Sequence, residues 1–286
     1  MNKKISFAGI ELTLRTLRRI VLMSALFAAV YFPVIPHFIS RFSARDSYYS
    51  HGFLIPVVSL YLVFRSREIL ARIPTWPHPA GFALILLGLA MYLIGYVLQI
   101  NFGMYASLLP VLFGLALYLG GSQYFRVLFF PILFLGFMLP LPQVFIIGAS
   151  FRLKLMAAQA ATFLSRMMGI EAVQNGSMIY YPGGQILVGD PCSGLRSLIA
   201  FIALGALCAY LARGSTIKRV LLFVLAVPVA LFSNLLRLTF LVGVGYVYGE
   251  KIASGTVHDV SGMLVFVLGF LCFVGLIRLL GCRIEV

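Results

Sequence analysis

Three residue types that cooperate in acyl transfer stand at separate points of the chain, each in a polar setting within apolar sequence. Cys192 lies in Gly189-Asp190-Pro191-Cys192-Ser193-Gly194-Leu195-Arg196-Ser197, Arg237 closes Ser233-Asn234-Leu235-Leu236-Arg237, and His258 precedes Asp259, Ser261 and Gly262. A thiolate attacks a carbonyl carbon, an imidazole takes the thiol proton and later protonates the leaving amine, and a guanidinium stabilises the oxyanion or the thiolate. Together these groups suffice for peptide cleavage through a thioester. What they require is a scaffold that brings them to one place.

That scaffold is apolar almost throughout. Of 286 residues, 62% are hydrophobic and 10% charged, and the mean hydropathy is +1.04, leaving too little polar surface for a water-soluble globule. Apolar runs recur from end to end with no long polar interval, so residues 1–286 read as a single membrane-embedded domain. The net charge of +14 comes from short Lys and Arg clusters between apolar runs, the pattern of a bacterial inner-membrane protein rather than of a nucleic-acid binder. Residues 1–19 are basic, but no Ala-x-Ala-like site follows the next apolar run, which reads as a retained helix.

The cysteines show no C-x-x-C spacing and no clustering with His, so neither a disulfide scaffold nor a metal site is expected, and no cofactor motif is present. Cys208 and Cys272 fall inside apolar runs and Cys282 follows the last one, where each reads as a small hydrophobe.

Eight apolar segments are expected to span the bilayer: 18–40, 53–64, 80–100, 104–121, 124–139, 193–212, 218–248 and 258–280. The second and fifth are shorter than the roughly 20 residues of a straight span. If each crosses once, the clusters Lys3 to Arg19, Arg65 to Arg72, Arg126, Arg213 to Arg219, and Arg278 with Arg283 all fall on one side. Lys- and Arg-rich loops mark the cytoplasmic side, so both termini are expected inside. The opposite side then holds Ser50-His51-Gly52, the turn at 101–103, the stretch 140–190 and the loop 249–257.

The outer stretch 140–190 divides in two. Arg152, Gln159 and Arg166 recur every seven residues with Thr162 and Ser165 nearby, one polar stripe on a helix expected to lie along the interface, a tilted span being the alternative. After Gly169 the pattern changes to short β-prone pieces around Val173, at 178–181 and at 185–188. Asn175-Gly176 and Pro182-Gly183-Gly184 punctuate them, as in a small β-cap before the sixth span. The expected fold is thus all-α and polytopic, with about eight transmembrane helices, an outer interfacial helix and a β-cap.

This topology puts the reactive groups at the outer face. Cys192 sits near the N-terminus of span six, where unpaired N–H groups and the helix dipole favour a thiolate; Arg196, one turn on, adds to that field. The plainer reading is an inert thiol beside a turn. Arg237 lies 19 residues beyond Lys218, about 28 Å along a helix, close to the outer edge of a core about 30 Å thick. An intramembrane Arg needs a partner or a function, although snorkelling to headgroups also satisfies it. His37, His51 and His258 all fall outside by this count, and His78 inside, so position alone does not single out one histidine.

At these residues the sequence resembles the exosortase and archaeosortase family of membrane transpeptidases. The resemblance runs from Ser50-His51-Gly52-Phe53-Leu54-Ile55-Pro56 with Tyr61-Leu62-Val63-Phe64-Arg65, through the segment Phe134 to Pro142 and Cys192-Ser193-Gly194-Leu195-Arg196-Ser197, to Asn234-Leu235-Leu236-Arg237 and His258-Asp259-Val260-Ser261-Gly262. It implies a cysteine peptidase or transpeptidase, with Cys192 as nucleophile forming the acyl-thioester, Arg237 as oxyanion or thiolate stabiliser and candidate proton donor, and His258 as general acid and base. Its substrates would be membrane-anchored exported proteins of the PEP-CTERM kind, whose C-terminal signal is a short motif, a transmembrane helix and a basic tail. The new C-terminus would pass to an acceptor, a lipid or an amine. Substrate-binding candidates are Asn234, Arg196, Ser193, Asp190, Asp259 and His51, with Asp190 or Asp259 also placed to orient the imidazole. Pro191 departs from the small residue expected before the cysteine.

Two other classes compete: a transporter or flippase, and a scaffold of a polysaccharide-export complex. A transport path predicts polar residues spread through the midplane. Here they gather at the outer rim.

Overall fold

The computed structural model describes residues 4–7, 10–44, 47–189 and 192–284. The chain is mainly helical and divides into two compact units, Met1–Leu141 and Pro142–Val286.

In the first unit an antiparallel hairpin, β1 (Lys4–Phe7) and β2 (Ile10–Thr13), leads into α1 (Leu14–Tyr31). Pro33 then sets a 3-10 turn before α2 (Ile35–Ser43). After a second 3-10 turn at Ser50–Phe53 come α3 (Leu54–Arg65), α4 (Arg67–Arg72), α5 (Ala80–Val97), α6 (Asn101–Ala106), α7 (Leu108–Gly120) and α8 (Ser122–Phe134).

Glycines every seven residues set the closest packing in this unit. Gly81, Gly88 and Gly95 are buried along one face of α5. A methyl at Gly81 would overlap the Tyr118 backbone, one at Gly88 the Val111 side chain, and one at Gly95 would stand 2.7 Å from the Met104 nitrogen. Lipid supplies no hydrophobic drive between helices, so backbone approach at small residues is what holds such a pair.

The second unit opens with α9 (Gln143–Met167), followed by the antiparallel strands β3 (Val173–Asn175), β4 (Met178–Tyr181) and β5 (Gly184–Leu187). Gly176 and Gly183, at φ +61° and +92°, make the two-residue turns that the Asn-Gly and Pro-Gly signals predict. Alternation puts Ile179, Tyr181, Ile186 and Val188 on the buried face, packed with Ala158 and Ala161 of α9. Next come α10 (Leu195–Leu211), β6 (Ala212–Arg213), α11 (Thr216–Tyr248), α12 (Glu250–Ser254), α13 (Thr256–Leu279) and β7 (Arg283–Ile284).

β6 pairs with β7, Arg213 opposite Arg283. Two of the basic clusters therefore share one end of this unit, as the charge count requires. Cys208 and Cys282 are buried there with Leu222, Ala226 and Phe273, as small core residues. The sheet packs against Leu238, Leu241 and Val242, far along α11 from its start at Thr216.

Among the described residues six helical stretches are long and apolar enough to cross a membrane: Val21–Ser43, Ala80–Val97, Asn101–Gly120, Gln143–Met167, Thr216–Tyr248 and Val260–Leu279; Ser50–Arg65, Ser122–Met138 and Leu195–Leu211 are shorter. The protein is thus a mainly α-helical, multi-pass membrane protein. Five of the eight expected spans reach full length, and the second, fifth and sixth correspond to the short helices. The sixth full-length helix is α9, expected at the interface.

The single polar stripe expected on α9 is corrected. Arg152, Gln159 and Arg166 are exposed, whereas Ser150, Thr162 and Ser165 are buried with Ala158 and Ala161. The three short hydroxyl residues belong to the small-residue face that packs inward. The hairpin at the N-terminus was not foreseen.

The glycine row makes a stability prediction. Gly88→Leu should lower the stability of the detergent-extracted protein by about 1–3 kcal/mol or more through overpacking, read as a lower melting temperature in size-exclusion thermostability. Gly148→Leu, where an added carbon meets nothing within 4 Å, should leave it unchanged; equal effects of the two would contradict this packing.

Candidate active site

α11 is the element on which the candidate residues are assembled. Asn234 is 3% exposed, and its side-chain amide donates to the backbone carbonyl of Cys192 at 3.2 Å. Burying an amide in an apolar cluster is costly unless it is hydrogen-bonded. Here the acceptor is the nucleophile candidate's own backbone.

The turn that carries Cys192 is shaped around that amide. The Cys192 N–H donates to Gly189 O at 3.0 Å, Ser193 Oγ accepts the Leu195 N–H at 3.2 Å, and Ser197 Oγ donates to Gly194 O at 2.9 Å. Gly194 has φ +80°, and a Cβ there would lie 2.8 Å from Asn234 Nδ2. Both the left-handed conformation and the close approach call for glycine. Cys192 itself is 2% exposed, packed with Ile186, Val188, Leu238 and Leu241.

Arg237 stands one turn beyond Asn234 on α11 and is half-buried. Its Nε donates to Ser261 Oγ of α13 at 3.1 Å. A Cβ on Gly262 would come within 3.4 Å of the guanidinium, so the planar group lies over a gap in the side-chain surface of α13. Below Arg237 a groove of about 390 Å³ opens between α11 and α13, walled by Leu236, Phe240, Leu264 and Leu268. Arg237 itself lines this apolar groove, together with Ser233 and Ser261.

His258 lies in the first turn of α13, three residues before Ser261. The side chains of His258 and Asp259, and the whole of Asp190 and Pro191, lie outside the described residues. The structure thus ties the Cys192 backbone to α11 through Asn234, three residues before Arg237, and places His258 by its backbone on the helix that Arg237 contacts.

The remaining candidates sort by position. Asn234, expected to bind substrate backbone, donates from Nδ2 to the backbone of Cys192. Ser193 helps start α10, and Arg196 is half-buried in its first turn. In the first unit, His51 donates from Nε2 to Phe137 O at 3.3 Å, and Tyr49 Oη accepts the Leu141 N–H at 2.9 Å. Two segments of the resemblance, 50–56 and 134–142, therefore clasp one another. His37 is exposed and bonded to Pro33 O.

Ser261, Gly194 and Gly262 carry contacts that sequence reasoning did not assign. All three stand inside the motifs quoted for the resemblance, but their roles depend on which helix faces are opposed.

No curated protein and no solved structure matches the chain. Residues 43–275, most of the chain and part of both units, match the family description of transmembrane exosortases. The chain therefore belongs to the transmembrane exosortase family, multi-pass membrane proteins with a role in processing sorting signals.

Proposed function

We propose that this protein cleaves C-terminal sorting signals of exported proteins through a thioester on Cys192 and passes the new C-terminus to an acceptor. The observation that carries this reading is the bond from Asn234 to the Cys192 carbonyl. It ties the thiol-bearing turn to α11 three residues before Arg237, about 4.5 Å along the helix axis.

In this mechanism His258 takes the thiol proton and the Cys192 thiolate attacks the carbonyl carbon after the signal motif. Negative charge moves to the carbonyl oxygen, where Arg237 stabilises it. As the tetrahedral intermediate collapses, the C–N bond breaks and the imidazolium of His258 protonates the departing amine. An amine or a lipid headgroup nucleophile then attacks the thioester, forms the new acyl bond and releases Cys192; water in that role gives hydrolysis. Burial of the thiol confines the reaction to carbonyls delivered into the turn.

The charges support an orientation with both termini in the cytoplasm and the reacting end on the outer face of a bacterial inner membrane. α11 has 33 residues, about 50 Å of helix, against a hydrocarbon core of about 30 Å. If its basic start at Lys218 and Arg219 marks the cytoplasmic side, its far end projects beyond the opposite side and carries the sheet as a cap. The whole chain then acts as one exosortase domain in the bilayer, with a substrate's transmembrane helix in the lipid and its basic tail inside.

Three outcomes follow for processing of a tagged signal-bearing substrate in membrane vesicles. Cys192→Ala abolishes cleavage with expression and insertion intact, and full cleavage by it would refute the nucleophile. Arg237→Lys lowers kcat by about 10²–10³, the loss expected for one oxyanion donor, as seen in single-turnover rates; an unchanged kcat would remove Arg237 from the chemistry. Asn234→Ala removes this buried hydrogen bond, costs about 0.5–1.5 kcal/mol of stability and slows processing. A lower melting temperature with an unchanged rate would make Asn234 purely structural.

A further inference from the structure

The sheet that precedes Cys192 is seated on α11 at a second point, eleven residues beyond Asn234. There the phenol of Tyr181, at the end of β4, enters a notch made by two glycines. A Cβ on Gly245 of α11 would overlap the Tyr181 hydroxyl oxygen and stand 2.7 Å from Cζ, and a Cβ on Gly184 of β5 would stand 3.0 Å from the same oxygen. Tyr181 is 5% exposed, and its hydroxyl has no hydrogen-bond partner among the described residues. The fit is steric, a ring held between two backbones. A second fastening lies beside it: the Gln185 N–H donates to Glu250 Oε2 of α12 at 3.3 Å.

From this seat four residues separate the end of β5 from the thiol-bearing residue. β5 ends at Leu187, the Val188 N–H donates to Ser177 O at 2.9 Å, and the Cys192 N–H donates to Gly189 O at 3.0 Å. Val188 is fully buried in the same apolar cluster as Tyr181 and Cys192. The Cys192 turn is therefore suspended between two anchors on one helix, Asn234 at its own carbonyl and Gly245 beneath the sheet. They are about 16 Å apart along α11.

We infer that Tyr181 and Gly245 form a latch that sets the position of Cys192, and that both are positioning residues for the thiol. This inference rests on the proposed role of Cys192. Added bulk at Gly245 lifts the sheet from α11 and drags the turn with it. A misplacement of about 1 Å at a reacting group lowers turnover by about 10²-fold.

The test compares wild type, Gly245→Ala, Tyr181→Phe and the double variant, as full-length protein in membrane vesicles. Processing is read as kcat and KM. The rate at which a small thiol reagent labels Cys192 is read in a background carrying Cys208→Ala, Cys272→Ala and Cys282→Ala. Tyr181→Phe should match wild type, because the oxygen it removes is unpaired. Gly245→Ala should lower kcat by about 10²-fold with little change in KM, and should speed labelling of the loosened thiol. The double variant, relieved of the overlapping oxygen, should recover a large part of both.

Gly245→Ala indistinguishable from wild type in rate and labelling would overturn the latch, as would a double variant no better than Gly245→Ala. If Gly245→Ala does not accumulate, Tyr181→Ala empties the notch without adding bulk; unchanged labelling and kcat there would equally overturn it. Labelling does not depend on catalysis. Cleavage by Cys192→Ala would refute the proposed function and leave the labelling test standing, whereas a null labelling result refutes the latch alone.

Discussion

The contact on which the rest of the site depends is the Asn234 amide on the Cys192 carbonyl. A primary amide inside an apolar helix bundle has to find a partner, and a backbone carbonyl in a buried turn has the same need. Each satisfies the other. The bond converts a stretch between a sheet and a helix into a fixed turn whose thiol is packed among Leu238, Leu241 and Val188. Gly194 completes the fit, since any side chain there would collide with the amide.

α11 carries the other parts on the same rod. Asn234 and Arg237 are one turn apart, and Gly245 seats the sheet about three turns beyond Asn234. Arg237 reaches to Ser261, which joins α11 to the helix that begins with His258. One long helix thereby indexes a thiol, a guanidinium and the start of the histidine helix against one another. At the opposite end of the unit the short pair β6 and β7 ties the α10–α11 connection to the end of α13.

Much of this was legible in the sequence because lipid imposes simple rules. Hydropathy locates each expected span on a helix, and Asn-Gly and Pro-Gly mark the turns of the sheet. α9 shows where those rules stop: Thr162 and Ser165 look like companions of Arg152 and Arg166 on a helical wheel, yet they are buried while the arginines are exposed. Polarity does not reveal which short hydroxyl residues serve close packing. For the same reason Asn234 could be flagged as functional but not assigned its partner, which lies 42 residues away. Gly245 carries no chemistry of its own, so only the opposed phenol of Tyr181 makes it visible.

The central claim, that Cys192 attacks the signal's carbonyl and holds the acyl fragment, is tested most directly by trapping the intermediate. A signal-bearing substrate is mixed with enzyme in excess, quenched in acid within a single turnover, and the enzyme is mapped by mass spectrometry. The account predicts the N-terminal portion of the substrate attached to Cys192 through a bond that hydroxylamine cleaves. Product formed while Cys192 stays unmodified through the turnover, or an adduct on another residue, would contradict it.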